Sequence, residues 1–239
     1  MSLQVDKAPF LGVLMLDTAF PRGVGDAGNA ASYPFPTKIK RVPEADAVDV
    51  VQAAGPSRAM LPRFRDAAVA LEADGAVGLV STCGFLVHFQ DDISAAVRIP
   101  TMMSSLSLYP MLAATFARKP IGILTASADS LHGGGLDAAH IDPAQVRVGD
   151  LQNCAAFSSA ILTEKSNQPT TLDTEAISAF AVAQAQKIVV SDPDVACFLL
   201  ECGNLPPYAD AIRAATGRPV FSILDAAHMF WRGSEAQLF

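Results

Sequence analysis

The 239-residue chain is 51% hydrophobic and 17% charged, enough for one large folded unit or two small ones and unlike a disordered chain. Its formal net charge of −7, with no cluster of Lys and Arg, argues against a nucleic-acid partner, which needs a basic footprint. No apolar stretch has the length needed to cross a bilayer, and the N-terminus lacks the basic region, apolar core and cleavage site of a signal peptide, so no membrane partner and a cytoplasmic location are expected. In chain order, residues 11–16 read as a buried strand ended by Asp17 and a Pro/Gly-rich loop, and residues 37–42 as a weaker strand stopped by Pro43. Ser57 can cap a helix that carries Met60, Leu61, Phe64, Ala67, Ala68 and Leu71 near the helical period. A strand over 76–82, a helix after Cys83, a strand over 99–103 and a helix over about 106–118 come next.

The pattern then restarts. Residues 121–125 mirror the opening strand, Gly133-Gly134-Gly135 reads as a turn or helix break, and residues 145–148 alternate like a strand. A long helix over 171–190, a strand ending at Glu201, a helix over about 206–215, a strand over 220–223 and a terminal helix complete the second round. Strands alternating with helices imply an α/β fold: two similar units, each a parallel sheet flanked by helices, related by a pseudo-two-fold, with a boundary near Lys119-Pro120.

Cys83 and Cys202 sit at the same place in the two rounds, half a chain length apart. Each closes an apolar run, precedes a helix, and lies 17 residues before a proline, Pro100 or Pro219. Ligands of open α/β sheets bind beyond the carboxyl ends of strands, so the pattern places one thiol on each wall of a cleft between the units. A helix N-terminus behind a thiol is expected to favour the thiolate and can also hold a carboxylate. Gly84 and Gly203 permit close approach of the backbone to a ligand. Thr82, Asn204, Thr125 and Ser127 offer neutral hydrogen bonds. One thiolate can remove a proton from a carbon acid while the opposite thiol protonates the other face, with no cofactor and no metal required.

These residues resemble the aspartate/glutamate racemase superfamily, which includes hydantoin racemases, maleate isomerases and arylmalonate decarboxylases. The resemblance rests on Gly12–Thr18, Ser81-Thr82-Cys83-Gly84-Phe85, Gly122–Ser127 and Glu201-Cys202-Gly203-Asn204 and covers nearly the whole chain. It implies two α/β domains, 1–118 with 222–239 and 119–221, the C-terminal segment returning to the first. It also implies cofactor-independent proton transfer by Cys83 and Cys202 as an opposed acid/base pair. Where amino-acid racemases of this family usually follow the first cysteine with Asn-Thr and the second with Thr, this chain has Gly-Phe and Gly-Asn. That leans towards hydantoin-like or other carboxylate substrates, with Phe85 as an apolar wall.

Among the remaining motifs, Asp17 and Thr18 end the first strand as candidate substrate contacts. Residues 21–28 lack the Lys-Ser/Thr ending of a phosphate loop and read as a long loop over the active site, with Arg22 as a carboxylate clamp. Cys154 and Cys197 read as packing residues, and His88, His132, His140 and His228 have no metal-ligand spacing. Glu201, next to Cys202 on a strand, is expected to point away from the thiol. A racemase or epimerase acting next to a carboxylate or carbonyl leads. An isomerase or decarboxylase on the same scaffold and a non-catalytic small-anion binder are the alternatives. A homo-oligomer is left open.

Overall fold

Eight strands form two four-stranded sheets in a computed structural model that describes residues 8–234; the ends of the expected first domain, 1–7 and 235–239, lie outside the described residues. In chain order the strands are β1 (Phe10–Met15), β2 (Thr37–Arg41), β3 (Ala76–Ser81), β4 (Thr101–Met102), β5 (Ile121–Thr125), β6 (Val146–Asp150), β7 (Cys197–Leu200) and β8 (Val220–Phe221). The sheets run β2-β1-β3-β4 and β6-β5-β7-β8, every pairing parallel. The central strands β1, β5 and β7 are buried along their whole length, because a parallel sheet covered on both faces needs apolar residues at every position.

The repeat extends to individual contacts. Gly12 on β1 makes room for Leu79 of β3, and Gly122 on β5 makes room for Phe198 of β7: a Cβ on either glycine would stand 2.5 Å from that side chain. Past the strand ends, the Thr82 N–H donates to the Leu14 carbonyl (3.0 Å) and the Glu201 N–H to the Leu124 carbonyl (2.8 Å). Thr82 and Glu201 are therefore equivalent positions of the two halves.

Helices cover the sheets where the periodicity places them. Ser57 accepts from the Ala59 N–H (3.3 Å) ahead of the helix Leu61–Ala73, which turns Leu61, Phe64, Ala68 and Leu71 inward. Asp173 caps Thr174–Ser191 at the Ala176 N–H (3.0 Å), and Ile177, Ala181, Ala185 and Ile188 form its buried stripe. The last helix, Ile223–Ser234, returns to pack on β3 and β1 of the first sheet, with Phe230 lying over Gly78. Among the described residues no helix is long and apolar enough to cross a membrane.

Three local expectations change. Gly133–Gly135 do not break a helix: they form most of a π-helical turn, Leu131–Gly135, inside a helical run from Ala128 to Ala138, since glycine tolerates helical φ values as readily as any others. The segment after Cys83 begins as a six-residue 3-10 helix, Gly84–Phe89, and becomes α-helical only at Gln90–Ala96. The strand expected over 99–103 shrinks to Thr101–Met102.

Candidate active site

Cys83 follows β3 and Cys202 follows β7, so the carboxyl ends of the two sheets bring the thiols to one small pocket. It is walled mainly by apolar side chains, among them Leu16, Phe20, Val51, Phe85 and Ile161. Both cysteines are buried and free, at 7% and 6% exposure. The two cysteine motifs interlock. Gly84 seats the Glu201 carboxyl, which a Cβ there would strike, and a Cβ on Gly203 would stand 2.5 Å from the Thr82 carbonyl oxygen. Each glycine thus packs on the residue that precedes the opposite cysteine. Gly203→Ala is expected to push the halves apart and destabilise by about 1–3 kcal/mol, the usual cost of overpacking a tight contact. Urea unfolding measures it, and an unchanged midpoint with full activity would contradict the interlock.

The thiols differ in their surroundings. At Cys83 the backbone N–H groups of Phe85 and Leu86 favour thiolate against the larger effect of burial, as the Asn204 N–H does at Cys202, and the Leu86 N–H also donates to the Cys83 carbonyl (3.1 Å). Cys202 Sγ donates to Asn204 Oδ1 (3.3 Å). Asn204 cannot turn its amide round, because its Nδ2 donates to Asp26 Oδ2 (2.7 Å). Asp26 is held in turn by Arg22 NH1 and the Gly28 N–H, each at 2.7 Å. The network presents an acceptor to Cys202 and so keeps its proton in place.

The expectation that a helix N-terminus lowers the thiol pKa values is overturned. Burial, followed by the Glu201 charge, pushes Cys83 up to about 12 and raises Cys202 well above the usual thiol range. A short 3-10 segment carries too few aligned peptide dipoles to offset that desolvation. Glu201, expected to point away, lines the pocket at 1% exposure: β7 ends at Leu200, so strand alternation no longer governs it. Burial lifts its carboxyl to about 7, against the opposing effect of hydrogen bonds from Thr125 and Ala126.

Of the other sequence-derived site residues, Thr18, Thr82, Phe85 and Asn204 line the pocket. Gly84 and Gly203 do not line it but interlock the two cysteine motifs beside it, packing on Glu201 and Thr82. Thr125 stands behind it, donating from Oγ1 to Glu201 Oε2 (2.9 Å). Ser127 accepts from the Ser130 N–H (3.2 Å) and donates to Gln152, away from the pocket. Asp17 is not brought in either: it pairs with Lys165 Nζ (2.6 Å), and that pairing and the Glu44 N–H hold its pKa low in spite of burial. Arg22 lines the pocket, but its carboxylate partner is the chain's own Asp26; it also donates to Thr18 Oγ1 (2.9 Å) and lies 4.4 Å over the Phe20 ring. Sequence reasoning missed Asp26, a loop aspartate without a motif, and misjudged Glu201. The register of Glu201 with Thr82 was the available signal.

No protein-family model matches the chain. It is 32% identical over 235 residues to a dimethylsulfoniopropionate lyase of Durusdinium sp. clade D, covering 95% of this chain and 75% of that one. It is 29% identical over 238 residues to dimethylsulfoniopropionate lyase 7 of Emiliania huxleyi (strain CCMP1516), covering 95% and 68%. Among solved structures, unliganded arylmalonate decarboxylase matches with a TM-score of 0.57 at 15% identity over 93% of both chains. Allantoin racemase from Klebsiella pneumoniae matches with a TM-score of 0.58 at 16% identity, over 95% of this chain and 88% of that one. The fold is the one these decarboxylase and racemase structures share.

Proposed function

The chain belongs to the dimethylsulfoniopropionate lyase family, and from that premise we propose that it cleaves dimethylsulfoniopropionate or a close β-sulfonio carboxylate by removing the proton next to the carboxylate. The family membership and the superfamily fold make the protein an enzyme of this scaffold; the reaction is our reading.

Cys83 is the base. It takes the α-proton, the electron pair of that C–H bond forms the Cα–Cβ double bond, and the Cβ–S bond breaks onto sulfur. The products are a neutral thioether and an unsaturated carboxylate, acrylate from dimethylsulfoniopropionate itself. A sulfonium leaves without needing a proton, so a single base suffices. The inequality of the two thiols carries this reading. Backbone N–H groups oppose the effect of burial at both thiols, those of Phe85 and Leu86 at Cys83 and that of Asn204 at Cys202, but Cys202 is also held as a thiol by the Asn204–Asp26 network. Negative charge moving onto the substrate carboxylate meets hydrogen-bond donors in a site shielded from water, where such contacts are strongest. The apolar walls and the Phe20 and Phe85 rings suit a methylated sulfonium.

The test is incubation with dimethylsulfoniopropionate in deuterated water, monitoring dimethyl sulfide and acrylate. No dimethyl sulfide, but α-deuteration or inversion of an amino acid or hydantoin, would sink the lyase reading in favour of two-base racemisation. That second reading is favoured by the presence of both thiols on one pocket. Since this scheme uses only groups of the chain itself, activity is expected to survive treatment with EDTA. A loss restored by an added metal would overturn it.

A further inference from the structure

Two residues that line the pocket each carry a buried side-chain oxygen with no hydrogen-bond partner: Thr82 Oγ1 and Glu201 Oε1. They occupy equivalent positions of the two halves, each directly before a cysteine. A buried polar atom without a partner is costly, so a pair of them on one small pocket marks where a ligand supplies the missing atoms. Glu201 Oε2 already accepts from Thr125 Oγ1 (2.9 Å) and lies 3.4 Å from the Ala126 N–H. With Oε2 committed as an acceptor, a proton on this carboxyl belongs on Oε1. We propose that Glu201 acts as a neutral acid, donating from Oε1 to the substrate carboxylate, and that with the Thr82 hydroxyl it forms a two-donor cradle for that carboxylate between the cysteines.

The proposal deepens the reading above and rests on it only for the identity of the substrate. The surroundings favour the protonated form. Burial lifts Glu201 to about 7, and an anion seated against it raises it further. Arg22, the other charged residue that lines the pocket, is paired with Asp26 behind it. Cys83 and Cys202 titrate far above neutrality, and so does Tyr208, which burial and Asp26 push to about 12. Glu201 is thus the group of this site that changes charge near pH 7.

Propionate, which has no leaving group, isolates the binding step from turnover. Calorimetry in buffers of different ionisation heat should show nearly one proton taken up per propionate at pH 8 and little uptake at pH 6. Affinity should fall about tenfold per pH unit above neutrality, as for any ligand that requires a protonated site. Glu201→Gln keeps an N–H donor without a titrating proton, so its affinity should be independent of pH between 6 and 9, with no uptake. Thr125→Val keeps the carboxyl but removes a hydrogen bond that favours its charged form. Its onset of uptake should move to higher pH, an outcome that holds even if Glu201→Gln fails to fold. Absence of saturable binding at pH 6, binding at pH 8 without proton uptake, or an unchanged pH dependence in either variant would each overturn the proposal. Failure to release dimethyl sulfide would count against the lyase reading alone.

Discussion

Cys83→Ser is expected to lower thioether release by about 10² to 10⁴-fold in kcat/KM, the range for loss of a general base. Serine keeps the shape of the site but is far less acidic than a thiol, and the two N–H donors at residue 85 and residue 86 cannot make up the difference. Cys202→Ser should cost less. In an elimination the second thiol protonates nothing on the substrate, and a serine hydroxyl can donate to Asn204 as the thiol does. A two-base racemase behaves otherwise, because each thiol serves one face and each substitution stops inversion. Equal, large losses in both variants would therefore replace the lyase scheme with the two-base one. Full activity in both would remove the thiols from the chemistry altogether. Unfolding midpoints should stay close to wild type in either case, since the substitution leaves almost no cavity.

The sequence carries the strand-and-helix order because a parallel sheet buried on both faces writes itself as continuous apolar runs, as at Phe10–Met15 and Ile121–Thr125. It carries the cysteine pair because a chain that repeats its fold repeats the place where a strand ends. The same register held more than its motifs did. Thr82 and Glu201 are equivalent, yet one has a hydroxyl and the other an acid, and strand alternation predicts that the acid points away from the thiol. Alternation fails there because β7 has ended one residue earlier. Nor could periodicity foresee the direction of the thiol pKa values, since desolvation depends on how tightly two distant segments close over one another. The proposed elimination leaves no local trace of its own in the sequence: it and a racemisation both begin by removing a proton next to a carboxylate, and the fate of the electron pair is decided by the group carried on the neighbouring carbon.

Asp26→Ala should produce the largest loss of stability among the substitutions considered. Asp26 is 4% exposed and holds Arg22, the Gly28 N–H and Asn204 at once, all at 2.7 Å. Removing it leaves the Arg22 guanidinium buried without its counter-charge, a change that typically costs about 3–5 kcal/mol. The loop that carries Thr18, Phe20 and Arg22 onto the pocket should loosen with it, so the urea midpoint and turnover should fall together. Asp26→Asn separates charge from shape. It keeps one acceptor for Arg22 or Gly28, but if that oxygen stays with Arg22 it turns an N–H towards Asn204, whose amide must then rotate and present its own N–H to Cys202. The thiol loses its acceptor, and alkylation of Cys202, measured by mass spectrometry, should change rate while that of Cys83 changes less. If Asp26→Ala unfolds at the wild-type urea concentration, Arg22 has found another partner and the loop is not held by this aspartate. If Asp26→Asn leaves Cys202 reactivity untouched, the Asn204 amide is not what fixes that proton, and the inequality of the two thiols has another origin.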